Sequence, residues 1–307
     1  MPTDPRIEQY QSASIRDLAW AILSPTLMLS PDASHNCAER WFNDAFTAIS
    51  PHLQQLDQDD SPLVHHLHEP ANRRLGLYFE RLWSYWLQHN ERYRLLASNL
   101  QVMDNSVTLG EFDCIVHDTA ADEIEHWELA VKFYLGIPPL AAAQHWFGPH
   151  EKDRLDRKFR HLVDKQLPLS QTRPGQLTCQ QQGWTVTRRR LISKGRLYYP
   201  WPHHDQAPAC IDPRHLHGYW MGQSEWRRLG RQYRDAGYSW LDKSEWLVWR
   251  PRPLHTAREI HERLERQLHS HPVQLHVEGW HEVPLRLFLV PDHWQEHALA
   301  TLRPDGQ

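Results

Sequence analysis

Residues 109–134 read LGEFDCIVHDTAADEIEHWELAVKFY, and this stretch decides the fold. Its first half puts Glu111, Asp113 and Ile115 at one parity and Phe112, Cys114 and Val116 at the other. Its second half puts Trp127, Leu129, Val131 and Phe133 on an apolar face. His126, Glu128, Ala130, Lys132 and Tyr134 face the other way. A strand alternates its side chains with period two, so the pattern predicts a half-buried hairpin with its acids and its lysine on one side. The link from His117 to Glu123 is short, which favours antiparallel neighbours. A turn centred near Ala120 and Ala121 sets Asp113 opposite Glu128, and opposed residues have Cβ atoms about 5 Å apart. Two carboxylates that close repel each other unless a proton or cation lies between them, and a hard divalent cation suits oxygen donors.

Upstream, NRRLGLYFERLWSYWLQH (72–89) has the spacing of a helix, with Leu75, Phe79, Leu82, Trp83 and Trp86 as its buried stripe and Glu80 beside it. YRLLASNLQV (93–102) follows as a strand. Residues 7–23 predict a helix ended by Pro25, and residues 38–49 a second one. The polar stretch 50–70, with Asp57, Asp59 and Asp60, reads as a loop. His65, His66 and His68 sit in it without the acids or thiols of a zinc site. Downstream, residues 135–150 are loop-like. Residues 151–167 predict a basic helix with Leu155, Phe159, Leu162 and Val163 inward, 170–183 a linker, and 184–200 a strand pair bent at Gly195. Beyond Trp201 the chain is rich in aromatic residues, with a helix at 257–268 and strands at 273–278 and 283–290. Two SEW triplets, at Ser224 and Ser244, are too short to establish a repeat. This divides the chain into an N-terminal helical segment (1–64), a core (65–200) and a Trp-rich C-terminal region packed on it (201–307).

Composition bounds the function. The mean hydropathy of −0.71 and the lack of any apolar run near the roughly 20 residues of a membrane helix predict a chain without membrane spans. The N-terminus has no secretory pattern. Cys37, Cys114, Cys179 and Cys210 are far apart, which points to a reducing compartment, the cytoplasm. Net charge is −4, yet residues 1–70 carry ten acids against three bases, and 151–196 carry twelve bases against four acids. A local basic surface can engage a polyanion whatever the net charge; the competing reading is a solvated helix and an exposed strand. GxSxG, GxxxxGK[ST], HExxH and GxGxxG are all absent, which leaves a serine hydrolase, a P-loop ATPase, a zincin and a dinucleotide enzyme without support.

The candidate site is therefore Asp113, Glu128 and Lys132, with Glu111 and Glu80 as further metal ligands. Magnesium or manganese held by such acids neutralises charge on a phosphoryl group, and an adjacent lysine stabilises what remains. At these residues the chain resembles the PD-(D/E)XK nuclease superfamily. Its members share a helix with a glutamate, a three-stranded meander and another helix. The matching parts are Glu80 in LGLYFERLW, Asp113 in LGEFDCIV, and Glu128 with Lys132 in HWELAVKFY. Together with KGRLYYP and PVQLHVEGW, these segments are similar to an uncharacterised bacterial family of unknown function. The resemblance implies an α/β fold with a restriction-endonuclease-like core, a mixed sheet flanked by helices. It also implies metal-dependent hydrolysis of phosphodiester bonds in DNA. The basic run over 151–196 separately offers Lys158, Arg188, Arg189 and Arg190 as nucleic-acid contacts. One departure stands out. The superfamily places its acid two residues before the lysine, where this chain has Ala130, while Glu128 lies four before. At about 3.3 Å per residue that separation is about 13 Å rather than about 7 Å. A nuclease-derived module that binds nucleic acid or a protein without cutting thus stays open, as does a plain ion pair of Glu128 with Lys132 on an exposed strand.

Overall fold

A computed structural model describes residues 4–68, 74–203, 206–230, 232–233, 235–266 and 271–302. In chain order the helices are α1 (Pro5–Glu8), α2 (Ala13–Leu23), α3 (Glu39–Leu56), α4 (Ser61–Leu67), α5 (Leu75–Gln88), α6 (Leu155–His161), α7 (Arg173–Gln180), α8 (Gln223–Leu229), α9 (Ala257–Arg266) and α10 (Trp294–Ala300). The strands are β1 (Tyr93–Asp104), β2 (Val107–Asp118), β3 (Glu123–Gly136), β4 (Trp146–Phe147), β5 (Val186–Pro200), β6 (Leu216–Gly222), β7 (Gly237–Leu241), β8 (Val273–Glu278) and β9 (Leu285–Val290). Among the described residues the strands form a nine-stranded, mostly antiparallel sheet in the order β1-β2-β3-β5-β6-β9-β8-β7, with β4 beside β3. The fold class is mixed α/β. The chain makes two compact units. Over the described residues, one comprises 4–131 and 159–194, the other 132–158 and 195 onward.

Several local expectations change. The helix predicted over 7–23 is broken at residues 9–12. There the carboxylate of Asp57 accepts the backbone N–H groups of Gln11 and Ser12, each at 2.8 Å, at the start of α2. The acidic run read as a loop thus supplies negative charge at a helix N-terminus, where it is favourable. α3 continues to Leu56 because Leu53 and Leu56 extend the buried stripe of Phe42, Phe46 and Ile49, even with Pro51 inside. Residues 61–67 and 173–180, both assigned to loops, are helices, each with a proline in its first turn. The stretch 151–167 narrows to α6 followed by a π turn over Leu162–Gln166. The strand pair expected over 184–200 is one long strand, β5, in which Gly195 has φ +144°. Residues 72–73 and 267–268, at the ends of two predicted helices, lie outside the described residues.

The hairpin register matches the predicted turn. Asp118 pairs with Glu123 and Cys114 with Trp127, and the paired register stops there, one step short of the expected Asp113–Glu128 pair. The half-buried face is not observed, because β3 is covered on both sides: His126, Glu128 and Tyr134 are as buried as Trp127. The parity of β2 also inverts. Phe112 and Ile115, expected on opposite faces, share one core cluster with Val102 and Leu169. The cause is a kink. Asn99 adopts φ +50°, and the register of Ser98 with Cys114 and Leu100 with Phe112 places it against Asp113. Asparagine tolerates this left-handed region better than most residues.

In the first unit α3 and α5 press an aromatic cluster against the hairpin. Trp41 contacts Trp83 (6.1 Å), Tyr93 (5.9 Å) and Trp127 (5.4 Å), and Trp83 contacts Trp86 (5.5 Å). In the second unit Met221, Tyr238, Leu275, Val277, Leu287 and Leu289 form the core, together with Trp226 of α8 and Ile260 of α9. Here a glycine is forced. A Cβ on Gly136 would stand 2.7 Å from Leu140 Cδ2 and 2.8 Å from the buried ring of Trp146. Gly136→Ala is expected to cost about 1–3 kcal/mol in urea unfolding, the usual penalty of overpacking. A loss below about 0.5 kcal/mol would mean the Trp146 ring yields freely.

Candidate functional site

A cleft of about 350 Å³ opens in the first unit, lined by His66, Glu80, Arg81, Ser84, Ser98, Asn99, Asp113 and Cys114 together with Leu77. Helix α5 supplies Glu80, Arg81 and Ser84, which lie at the border of the stripe that buries Phe79, Leu82 and Trp83. Leu77 is also from α5 and His66 is from α4, while strands β1 and β2 supply Ser98, Asn99, Asp113 and Cys114 at their kink. The inversion at Asn99 lets Asp113 and Cys114, sequence neighbours that an unkinked strand would send to opposite faces, line the same space.

Asp113 also closes the sheet. Backbone pairing of β2 with β3 ends at Cys114 and Trp127, and the Leu129 N–H donates to Asp113 Oδ2 at 2.8 Å. A side chain takes the place of a strand carbonyl there. Glu128 is 1 % exposed, and His126 Nε2 donates to its Oε1 at 2.7 Å. Burial pushes His126 down to about 4, against the opposing pull of Asp113 and with help from Arg189. The ring is therefore neutral near pH 7 and carries its proton on Nε2, while Nδ1 is buried without a partner. Burial first, and then the negative charges of Asp113, Glu80 and Glu128, push the Cys114 thiol well up. The charges of three carboxylates, from α5, β2 and β3, thus act on one buried sulfur. Among the described residues, no three His, Cys, Asp or Glu side chains form a ready-made metal-holding group.

The other predicted site residues lie elsewhere. Glu111 is exposed and absent from the cleft lining, although its backbone carbonyl accepts from Gln166 at 3.4 Å. Lys132 belongs to the second unit, where its amine contacts Asp153 Oδ2 at 2.7 Å. The ion pair of Glu128 with Lys132 is replaced by His126–Glu128 and Lys132–Asp153. The basic run is no single surface either. Arg190 is buried on Glu125, Lys194 is fully buried with its amine on the carbonyls of Ile22 and Ser24, and Arg196 is 8 % exposed. Arg188 is exposed near Glu123, whereas Arg189 and Lys158 are half-buried. His126, Asn99 and Arg81 were not singled out. His126 lies two residues before Glu128 on the same parity, which was the available signal; nothing local marks Asn99 as a kink.

A family described as a domain of unknown function, DUF1853, matches residues 16–290. The chain belongs to the DUF1853 family. No curated protein and no solved structure matches it. The DUF1853 match spans the cleft, the hairpin and all but one of the described strands and helices beyond α2, stopping before α10.

Proposed function

We propose that this DUF1853 chain is a metal-dependent nuclease with a restriction-endonuclease-like core that hydrolyses phosphodiester bonds of DNA. The observation that carries this reading is the meeting of Glu80 from α5 and Asp113 from β2 in one polar cleft beside the buried Glu128. The order of elements supports it: a helix, an antiparallel three-stranded meander, further helices, and then β5 next to β3. The donor set fits magnesium or manganese, because magnesium takes one or two carboxylates and keeps several waters, so two cleft acids suffice. When bound, the ion would neutralise charge on the phosphoryl oxygens and acidify a water. Glu80 and Asp113 would hold it. Asp113 is itself positioned by the Leu129 amide. Arg81 places a guanidinium along the same cleft, suited to a phosphate. A second reading, a module that grips DNA without cutting it, is favoured by the engagement of Lys132 with Asp153.

The test is cleavage of plasmid and single-stranded DNA with magnesium or manganese. Wild type is expected to cut. Asp113→Ala and Glu80→Gln are expected to lose at least about 100-fold, since even outer partners of a metal cost about 10–100-fold. Glu80→Gln is included because Asp113→Ala also leaves the Leu129 amide unpaired. Retention of DNA without cutting would select the binding module. Cutting that survives both substitutions would refute this site.

A further inference from the structure

The second unit holds a cationic cluster that the nuclease reading does not use. Strand registers align Tyr198 with Gly218, Arg286 with His276, and His276 with Ser239. The pairing of Tyr219 with Leu287 sets Gly218 against Arg286 one step away. One row across β5, β6, β9, β8 and β7 thus carries Tyr198, Gly218, Arg286, His276 and Ser239. The apolar core residues Met221, Tyr238, Leu275 and Leu287 fill the alternate positions. The polar row is therefore a face of its own.

Three guanidiniums gather on that face. Arg196, Arg252 and Arg286 all act electrostatically on His276. Arg252 donates to Ser239 Oγ (2.6 Å) and to Glu245 Oε2 (2.9 Å). Arg286 reaches the Glu245 carbonyl and Gln274 Oε1, both at a long 3.4 Å. Arg196 donates Nη1 to the His217 carbonyl at 3.1 Å, but its Nε is buried without a partner. The indole N–H of Trp249 is also buried without a partner, and its ring lies flat on His276 at 3.9 Å. On the acid side, Glu245 is buried, with Oε1 lacking a hydrogen bond, and Glu278 pairs with His276 at 3.1 Å. Buried donors are normally satisfied, and buried charge is normally matched. Among the described residues, two buried donors on this face, Arg196 Nε and Trp249 Nε1, have no acceptor.

We propose that Arg196, Arg252, Arg286 and Trp249 form a binding site for an oxyanion of the phosphate class. A phosphate accepts several hydrogen bonds at once, and the planar fork of arginine matches its oxygens. Arg252, which is exposed, forms the rim where the anion enters. The site is separate in sequence and residues from the Glu80–Asp113 cleft, so either assignment can fail without the other.

The experiment is isothermal titration of the full chain with inorganic phosphate at fixed ionic strength, beside a 5′-mononucleotide. Saturable binding at one site per chain is expected, with a rise in the thermal midpoint as mass action requires. Arg252→Lys, which keeps a cation beside Glu245 but loses the planar fork, is expected to weaken binding at least about tenfold, and Arg252→Ala at least as much. Arg196→Met is expected to abolish it, and Trp249→Phe to remove the phosphate-dependent change in tryptophan fluorescence. Tighter binding of the mononucleotide would assign the phosphate to a nucleotide; equal binding would assign it to the free ion. No saturable binding up to about 10 mM, or equal affinity in wild type, Arg252→Ala and Arg196→Met, would overturn the site.

Discussion

Replacing Glu125 with alanine is expected to destabilise the protein by about 3–5 kcal/mol, the usual result of removing one member of a buried ion pair. Glu125 is fully buried on β3. Arg190 Nε donates to its Oε2 at 2.5 Å and Nη2 to its Oε1 at 2.7 Å, while the Trp127 indole N–H donates to Oε2 at 2.7 Å. Arg190 lies 5.3 Å from the Trp41 ring centroid and 6.0 Å from that of Trp127. Burial works to lower Arg190, but the hydrogen bond and charge of Glu125 outweigh it and push the guanidinium up. Without Glu125 the cation stays among tryptophans with no anion in contact. Arg190→Met in the same background removes the stranded charge, so the double variant is expected to be more stable than Glu125→Ala alone. Urea unfolding of the three variants measures the coupling. Additive losses, or a Glu125→Ala cost below about 1 kcal/mol, would show that water reaches and solvates Arg190.

Acid is expected to unfold the protein in a window where carboxylates are still ionised. Burial holds His126 down to about 4, and holds His276 down to about 3 with help from Arg286, Arg196 and Arg252. The unfolded chain titrates its histidines near 6.5. Between those values the unfolded state binds more protons than the native one, so stability falls as pH falls. The stabilisation is complete above about pH 7 and declines from about 6.5 through 4 and then 3. Each histidine contributes a slope approaching 1.4 kcal/mol per pH unit, so the pair costs on the order of 3 kcal/mol between pH 6 and 5. His35, His52 and His66 are also lowered chiefly by burial and act in the same direction. The measurement is the urea midpoint from pH 7.5 to 4.5 for wild type, His126→Gln and His276→Gln. Each substitution is expected to remove up to about 1.4 kcal/mol per pH unit from the slope. A wild-type midpoint unchanged down to pH 5 would mean both rings are hydrated or protonated in the native state.

What the residues disclosed in advance follows the range of the interactions involved. The β2–β3 register, α5 and β8 were legible because each depends on periodicity within a few residues. Glu80 and Asp113 followed from those elements, and the structure brings both to one cleft. The kink at Asn99 was not legible. It depends on one dihedral angle, and it reversed the expected faces of Phe112 and Ile115. The partners of the charged residues were hidden as well. Lys132 finds Asp153 and Arg190 finds Glu125, 65 residues away in the latter case. Counting twelve bases over 151–196 therefore could not tell a surface from an interior, because β5 runs from exposed positions at Thr187 and Arg188 into an unbroken buried stretch from Arg190 to Tyr199. Helices α4 and α7 were missed because their polar residues and prolines resemble those of loops, although proline in a first turn is a helix start signal.

The path of the chain between the two units has a practical consequence for anyone dividing this protein. The crossings fall at 131/132, 158/159 and 194/195, inside β3, α6 and β5 rather than in linkers. No single cut releases either unit whole, and every cut at a crossing severs a strand or a helix midway. Each unit also needs two separate stretches of chain to be complete. A gene fragment ending at any of these points would encode unpaired strand ends prone to aggregation, and limited proteolysis has no natural seam to find there. The protein is thus to be expressed, dissected by point substitution and studied as one indivisible polypeptide.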